Sequence, residues 1–416
     1  MKYTVKNFPN KLKALVVEDT SSPSVAILVL VGIGARFERE IVNGVAHFVE
    51  HTIFKGTRKR SSSAQIGMEV ETLGARMNAF TSQDYTGYYI KAPKEKFANS
   101  IEILSDMFLN SVFEKKEIDK ERGVIIEEKR MYDDQPMDKV TELFDEKLFN
   151  KHELGRAIVG SIKSINNIKR KDILEFLSKY GGENTIVVIA GAINKQEAFD
   201  KVGEHFSSLK KGKELQINEF KQRPVSKEIY NIKKEVNQTH LMIGGFAPNR
   251  HDENRFIFKV GDAILSKGFR SRLFQVIRDE LGLAYYVYSQ FDQYQEIGNL
   301  KIGLGVENTK VEKAVSAVIK QTNEVAQGNF SDEELARAKN YLIGQLTTGL
   351  ETSDDIASWY GQQLLLNKKI LSIEEVKKKV LSVTREEIVN IFGSYINENN
   401  LLLTSVSPHK KLDVSL

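Results

Sequence analysis

Five consecutive residues, His47, Phe48, Val49, Glu50 and His51, carry the clearest chemistry in the chain. On a helix, residues i, i+3 and i+4 share one face. The spacing therefore predicts two imidazoles side by side with a carboxylate between them. Neutral imidazole nitrogens are good zinc ligands, and a carboxylate beside such a metal can take a proton from a water that the metal polarises. The competing reading is a solvated helix that happens to carry two of the chain's seven histidines. Against it, Val45, Phe48, Val49, Ile53 and Phe54 give the segment an apolar side to anchor in a core. Asn43 reads as the helix N-cap and Gly56 as its stop.

A second source of ligands lies further on. A long helix opens at 113–117 and must end before Pro136. It carries Glu121 and Glu128, which are seven residues apart and so only about 20° apart around the helix. Two glutamates on a charged helix most often form a solvated face. Val124 and Ile125 lie in line with these two, which predicts a buried face, and a buried carboxylate needs a partner such as a metal. Glu127 is turned about 100° away from Glu128.

Composition narrows the remaining possibilities. A chain of 416 residues is too long for one ordinary core and predicts two or more domains. Hydrophobic content of 41% and charged content of 28% fit a globular protein. A net charge of +4 makes no case for nucleic acid as a partner. There is no cysteine, so disulfides and thiol nucleophiles are excluded and metal ligands must be His, Asp or Glu. The N-terminus has no apolar stretch behind its charges, and the apolar run 25–33 is β-branched and too short to span a bilayer. The expectation is a soluble, cytoplasmic protein without a membrane partner.

The elements that must position these residues can be read in order. Strands are expected at 13–17 and 24–31, a helix at 64–73 capped by Ser61–Ser63, two adjacent strands at 75–82 and 84–90, and a helix within 94–112. The stretch 209–224 is polar and lacks a long apolar pattern. It divides the chain into 1–212, a linker at 213–226, and 227–416. The second part echoes the first, since 330–335 can be laid over 113–118. At that offset Ala338 falls on Glu121 and Gln345 on Glu128, and no second H-x-x-E-H occurs. Two related domains, of which only the first kept metal chemistry, account for this most simply.

Together these features resemble the M16 metallopeptidases (the pitrilysin or inverzincin family) in their short two-domain form, which includes bacterial processing proteases and the mitochondrial processing peptidase. Four separated motifs carry the resemblance. They are His47 to His51; Glu128 with Glu121 before it; Asn78-Ala79-Phe80-Thr81-Ser82 followed by Tyr85 to Tyr89; and Arg278 to Tyr285. The resemblance implies an α+β fold of two homologous α/β-roll domains, each an antiparallel sheet with helices on one face, in a clam-shell arrangement. It implies a zinc-dependent endopeptidase acting on extended, unfolded peptides, with one zinc per chain held by His47, His51 and Glu128. Glu50 would be the general base, and Glu121 would orient a ligand or the water. Asn78 and Ala79 would lie on the edge strand where substrate docks, and Arg278 and Tyr285 would reach the substrate from the C-terminal domain. A homodimer is expected. The family also contains non-catalytic core subunits and active subunits that need an inactive partner. Two departures, 265–269 in place of a glycine-rich stretch and Asp84 where many members carry Glu, bear on substrate preference.

Overall fold

The structure, a computed structural model, describes residues 2–213 and 215–416. Met1 and Glu214, the latter inside the expected linker, lie outside the described residues. Eleven strands are described: β1 (Tyr3–Asn7), β2 (Lys13–Glu18), β3 (Ser24–Val31), β4 (Arg76–Thr81), β5 (Thr86–Pro93), β6 (Thr185–Gly191), β7 (Val225–Lys233), β8 (Gln238–Ala247), β9 (Ala284–Gln293), β10 (Gly298–Glu307) and β11 (Asn400–Ser407). They form two sheets, ordered β1-β2-β6-β3-β5-β4 and β7-β11-β8-β10-β9. β2 through β6 map onto β7 through β11 with the same neighbours and the same directions. The fold is α+β, and the duplication expected from the sequence is present in its topology.

Each sheet departs at one place from the purely antiparallel pattern expected. β2 pairs with β6 in parallel, and β11 with β7. The second face of each sheet is also covered. β3 is apolar from Val25 to Val31 rather than alternating, as expected of a strand buried on both sides. Val25, Ile27, Val29 and Val31 pack into one core, while Ala26, Leu28 and Leu30 pack into another.

The chain divides into two compact units that cross the expected division. The first comprises 1–130, 156–217 and 349–370, and the second comprises 131–155, 218–348 and 371–416. The long passage from first to second falls between Ile217 and Asn218, inside the expected linker. Two short segments lie in the unit that the other half of the chain builds. The helix Ser353–Gln362 covers the second face of the first sheet through Ile356, Ala357 and Tyr360. The helix Pro136–Phe149 covers β8 and β11 through Val140, Phe144, Leu148 and Phe149. Among the described residues no helix is long and apolar enough to cross a membrane.

Candidate metal centre

His47, Glu50 and His51 lie on the helix Val45–Thr52, whose Val45, Phe48 and Val49 are buried in the first unit's main core. Asn43 is not the N-cap. That place belongs to Gly44 at φ +99°, a left-handed conformation that favours glycine. A Cβ there would also lie 2.3 Å from the Val159 carbonyl oxygen. The helix start is held instead by Glu38. Its carboxylate accepts from the Gly44 and Ala46 amides and from Asn43 Nδ2, each at 2.7 Å. Two of the N–H groups that a helix start leaves unpaired are thereby satisfied, beside the positive end of the helix dipole.

The helix Lys115–Asp134 supplies the carboxylates. Glu121 is buried and Glu128 half-buried, while Glu127 is exposed and paired with Arg130 at 2.6 Å. Val124, expected on the buried face, is 47% exposed, whereas Ile125 is fully buried. The covered arc runs from Glu128 through Glu121 and Ile125 to Lys129, and Val124 lies about 60° from Glu121 on its other side.

Glu128 Oε2 lies 3.3 Å from His51 Nε2 and 3.7 Å from His47 Nε2. Ligand atoms about 2.0–2.1 Å from a tetrahedral zinc are about 3.3 Å from one another, so this spacing suits one shared ion. One ligand atom from each of the three residues lies within 4.8 Å of the other two. Two imidazoles and one carboxylate are a donor set that could hold a metal ion, of the kind found around catalytic zinc, where a fourth position is left for water or substrate. His47 Nδ1 is buried without a hydrogen-bond partner among the described residues. Burial, with the neighbouring His51 charge, pushes the His47 imidazole down to about 4, so it is neutral and able to ligate at neutral pH. For His51, burial acts downward, but the Glu128 hydrogen bond and charge, with Glu121 and Glu50, outweigh it and raise the pKa.

Glu121 is close to His51 but turned away from the three-donor cluster. Its Oε2 lies 3.4 Å from His51 Nδ1, and its Oε1 takes an ion pair from Lys55 Nζ at 2.7 Å. It is placed to accept the Nδ1–H and so to leave Nε2 free for the metal. Glu50 stays outside the donor set and accepts from Thr81 Oγ1 at 2.6 Å. Burial raises its pKa, against the Thr81 hydrogen bond and the His51 charge.

β4 is an edge of the first sheet and, among the described residues, pairs only with β5, so Asn78 and Ala79 lie where a further strand could add. The Ala79 amide donates to Asn78 Oδ1 at 2.9 Å. Asp84 is buried in an ion pair with Arg36 at 3.0 Å. Arg278 and Tyr285 belong to the second unit and meet each other there. Arg278 lies in the last turn of a helical segment, Phe274–Glu280, and Tyr285 is the second residue of β9, with Gly282 at φ +56° between them. The guanidinium lies 5.1 Å from the Tyr285 ring and 4.7 Å from that of Phe274, and Tyr285 is 78% exposed.

Glu38 and Lys55 were not singled out from the sequence, and Thr81 stood there only as part of the edge-strand motif, with no role of its own. A basic residue just past a helix C-terminus is a readable signal for Lys55. Glu38 reaches the Gly44 and Ala46 amides from six and eight residues earlier, outside the N-cap and N3 positions from which a capping carboxylate is read.

Burial pushes Glu38 up to about 7, against three hydrogen bonds and the Arg156 charge. An acid whose folded pKa is raised keeps its proton longer when folded. Between the ordinary value of 4.5 and about 7 the folded chain therefore binds more protons than the unfolded one, and stability falls as pH rises. Relative to Glu38→Gln, which does not titrate, the parent is expected to lose on the order of 3 kcal/mol across that window. Denaturation midpoints of both proteins at each pH check this, and parallel profiles would refute it.

Residues 13–161 match the family described as insulinase (peptidase family M16), and residues 167–342 match the one described as the peptidase M16 inactive domain. A Bacillus subtilis (strain 168) protein named uncharacterized zinc protease YmxG is 30% identical over 403 residues, covering 96% of this chain and 97% of its own. A Mycobacterium tuberculosis (strain ATCC 25618 / H37Rv) protein named uncharacterized zinc protease Rv2782c is 31% identical over 399 residues, covering 93% and 89%. The solved structure of a protease from Helicobacter pylori shares the fold, with a TM-score of 0.90 at 23% identity over 98% of this chain and 99% of that one. With both halves matched and relatives similar along nearly their whole length, the chain belongs to the M16 (insulinase) peptidase family.

Proposed function

We propose that the protein is a zinc-dependent endopeptidase that hydrolyses extended, unfolded peptides. The observation that carries this reading is the convergence of His47, His51 and Glu128 with Glu50 beside them and outside the donor set. A zinc ion held by those three residues would supply Lewis-acid polarisation of the scissile carbonyl and of a water. Glu50 takes the proton of the attacking water and passes it to the leaving amine. Glu121, held by Lys55, fixes the His51 tautomer. The β4 edge takes the peptide as an added strand, whose main-chain groups bind with little regard to side chains. A peptide carbonyl arriving at Ala79 displaces the Asn78 side chain from the amide it now occupies. Arg278 and Tyr285 keep the substrate-binding roles that the resemblance implies. A non-catalytic assembly subunit could lose these donors without penalty, and here all four residues are intact.

The test is cleavage of a library of unstructured peptides by the purified full chain. Cleavage is expected with zinc, is expected to stop on chelation and to return when zinc is restored. No cleavage by the zinc-loaded chain, or cleavage indifferent to the chelator, would overturn the reading.

A further inference from the structure

Thr81 is the last residue of β4, the edge strand. Its backbone is paired with Thr86 of β5, which fixes where it stands in the sheet. Its side chain does something separate. The hydroxyl donates to Glu50 Oε2 at 2.6 Å, and Glu50 Oε1 has no hydrogen-bond partner among the described residues. A glutamate has three rotatable side-chain bonds, so an untethered carboxylate samples many positions. A β-branched threonine in a paired strand is stiff about χ1, and its hydroxyl is a well-aimed tether.

We propose that Thr81 is a positioning residue for peptide hydrolysis. By holding one oxygen of Glu50 it sets the plane of the carboxylate and leaves the other oxygen to carry the proton. The same residue closes the strand on which the peptide docks, so the register of the bound peptide and the place of the base are set by one element. This rests on Glu50 serving as the proton acceptor. The bland reading is a threonine that merely satisfies its own hydroxyl, and the two readings separate in kinetics. A tether on the base acts on turnover. A structural threonine acts on folding, on metal retention or on peptide affinity.

The experiment uses the full chain loaded with zinc and an unstructured peptide carrying a fluorophore and a quencher, long enough to pair along β4. Thr81→Val removes the hydroxyl and keeps the shape, and Thr81→Ser keeps the hydroxyl. Thr81→Val is expected to lower kcat by about 10–100-fold, since small misplacements of a catalytic group have effects of that size. KM, zinc content and melting temperature should stay near the parent's, and Thr81→Ser should recover most of the lost kcat. Parent-like kcat in Thr81→Val, a change confined to KM, or a Thr81→Ser as impaired as Thr81→Val would overturn the proposal. So would loss of zinc or of the melting transition in Thr81→Val repeated in Thr81→Ala, which would make the residue structural. Glu50→Gln is run alongside. If it stays active, the assignment of the base has failed. If it is inactive while Thr81→Val is as active as the parent, only the present inference has failed.

Discussion

Replacing Glu50 with glutamine is expected to lower peptide turnover by about 10²–10⁴-fold while zinc content and melting temperature stay near the parent's. The size follows from what the substitution removes. Glutamine has the same shape, and its amide oxygen can still accept from the Thr81 hydroxyl, so the helix Val45–Thr52 and the three donors beside it are left as they are. It cannot accept a proton. Burial already biases the Glu50 carboxylate towards holding one, as a group that must receive a proton and then release it requires. Steady-state turnover and metal analysis on the same preparation decide the matter. Turnover near the parent's, with contaminating protease excluded, would remove Glu50 as the base.

The second large effect is loss of the metal. His51→Ala and Glu128→Gln each remove one of the three proposed ligands, and each is expected to weaken zinc binding by more than about 100-fold, beyond the 10–100-fold typical of substitutions that only orient a ligand. Glu121→Gln should fall within that smaller range, because it loses the charge facing His51 Nδ1 and Lys55 but no donor of the cluster. Glu127→Gln is the control. Its carboxylate is exposed and paired with Arg130, so zinc should be kept. Competition against a chromophoric chelator gives the affinities without relying on activity. A Glu128→Gln that binds zinc like the parent, or a Glu127→Gln that loses it, would show that the ligand is misassigned.

The parts of the site that could be read from the sequence are those whose geometry is local. The pairs His47/His51 and Glu121/Glu128 each lie within one helix, where spacing fixes direction. The choice of Glu128 over Glu127 followed from rotation about that helix, and the structure turns Glu127 outward. The same reasoning failed for Val124, because the covered arc is rotated towards Ile125 and Lys129 and leaves Val124 beyond its edge. Asn43 looked like a cap because its type is right, but the turn that makes the cap is set by Gly44 and by a carboxylate six residues before it. For the sheets, helices were expected on one face only, although the apolar run 25–31 of β3 fits a strand buried on both. Nothing near it in the chain could say that the second cover is the helix Ser353–Gln362, more than 300 residues later.

That exchange of helices has a consequence for how the chain can be divided. A polypeptide ending at Ile217 would retain the helix Pro136–Phe149 but lose Met242, Phe246, Leu402 and Val406, against which its apolar face packs. It would also expose Leu28, Leu30 and Val188, which pack with Ile356 and Tyr360. Each large side chain uncovered in this way forfeits about 1.5–3 kcal/mol. The arrangement is a reciprocal domain swap sealed within one polypeptide, with each half donating an arm to the other. As separate chains the halves could complete their cores only by finding one another in solution. Joined by the stretch around Ile217, they do so at an effective concentration set by the tether, whatever the amount of protein present. A gene for either half alone encodes an unfinished core.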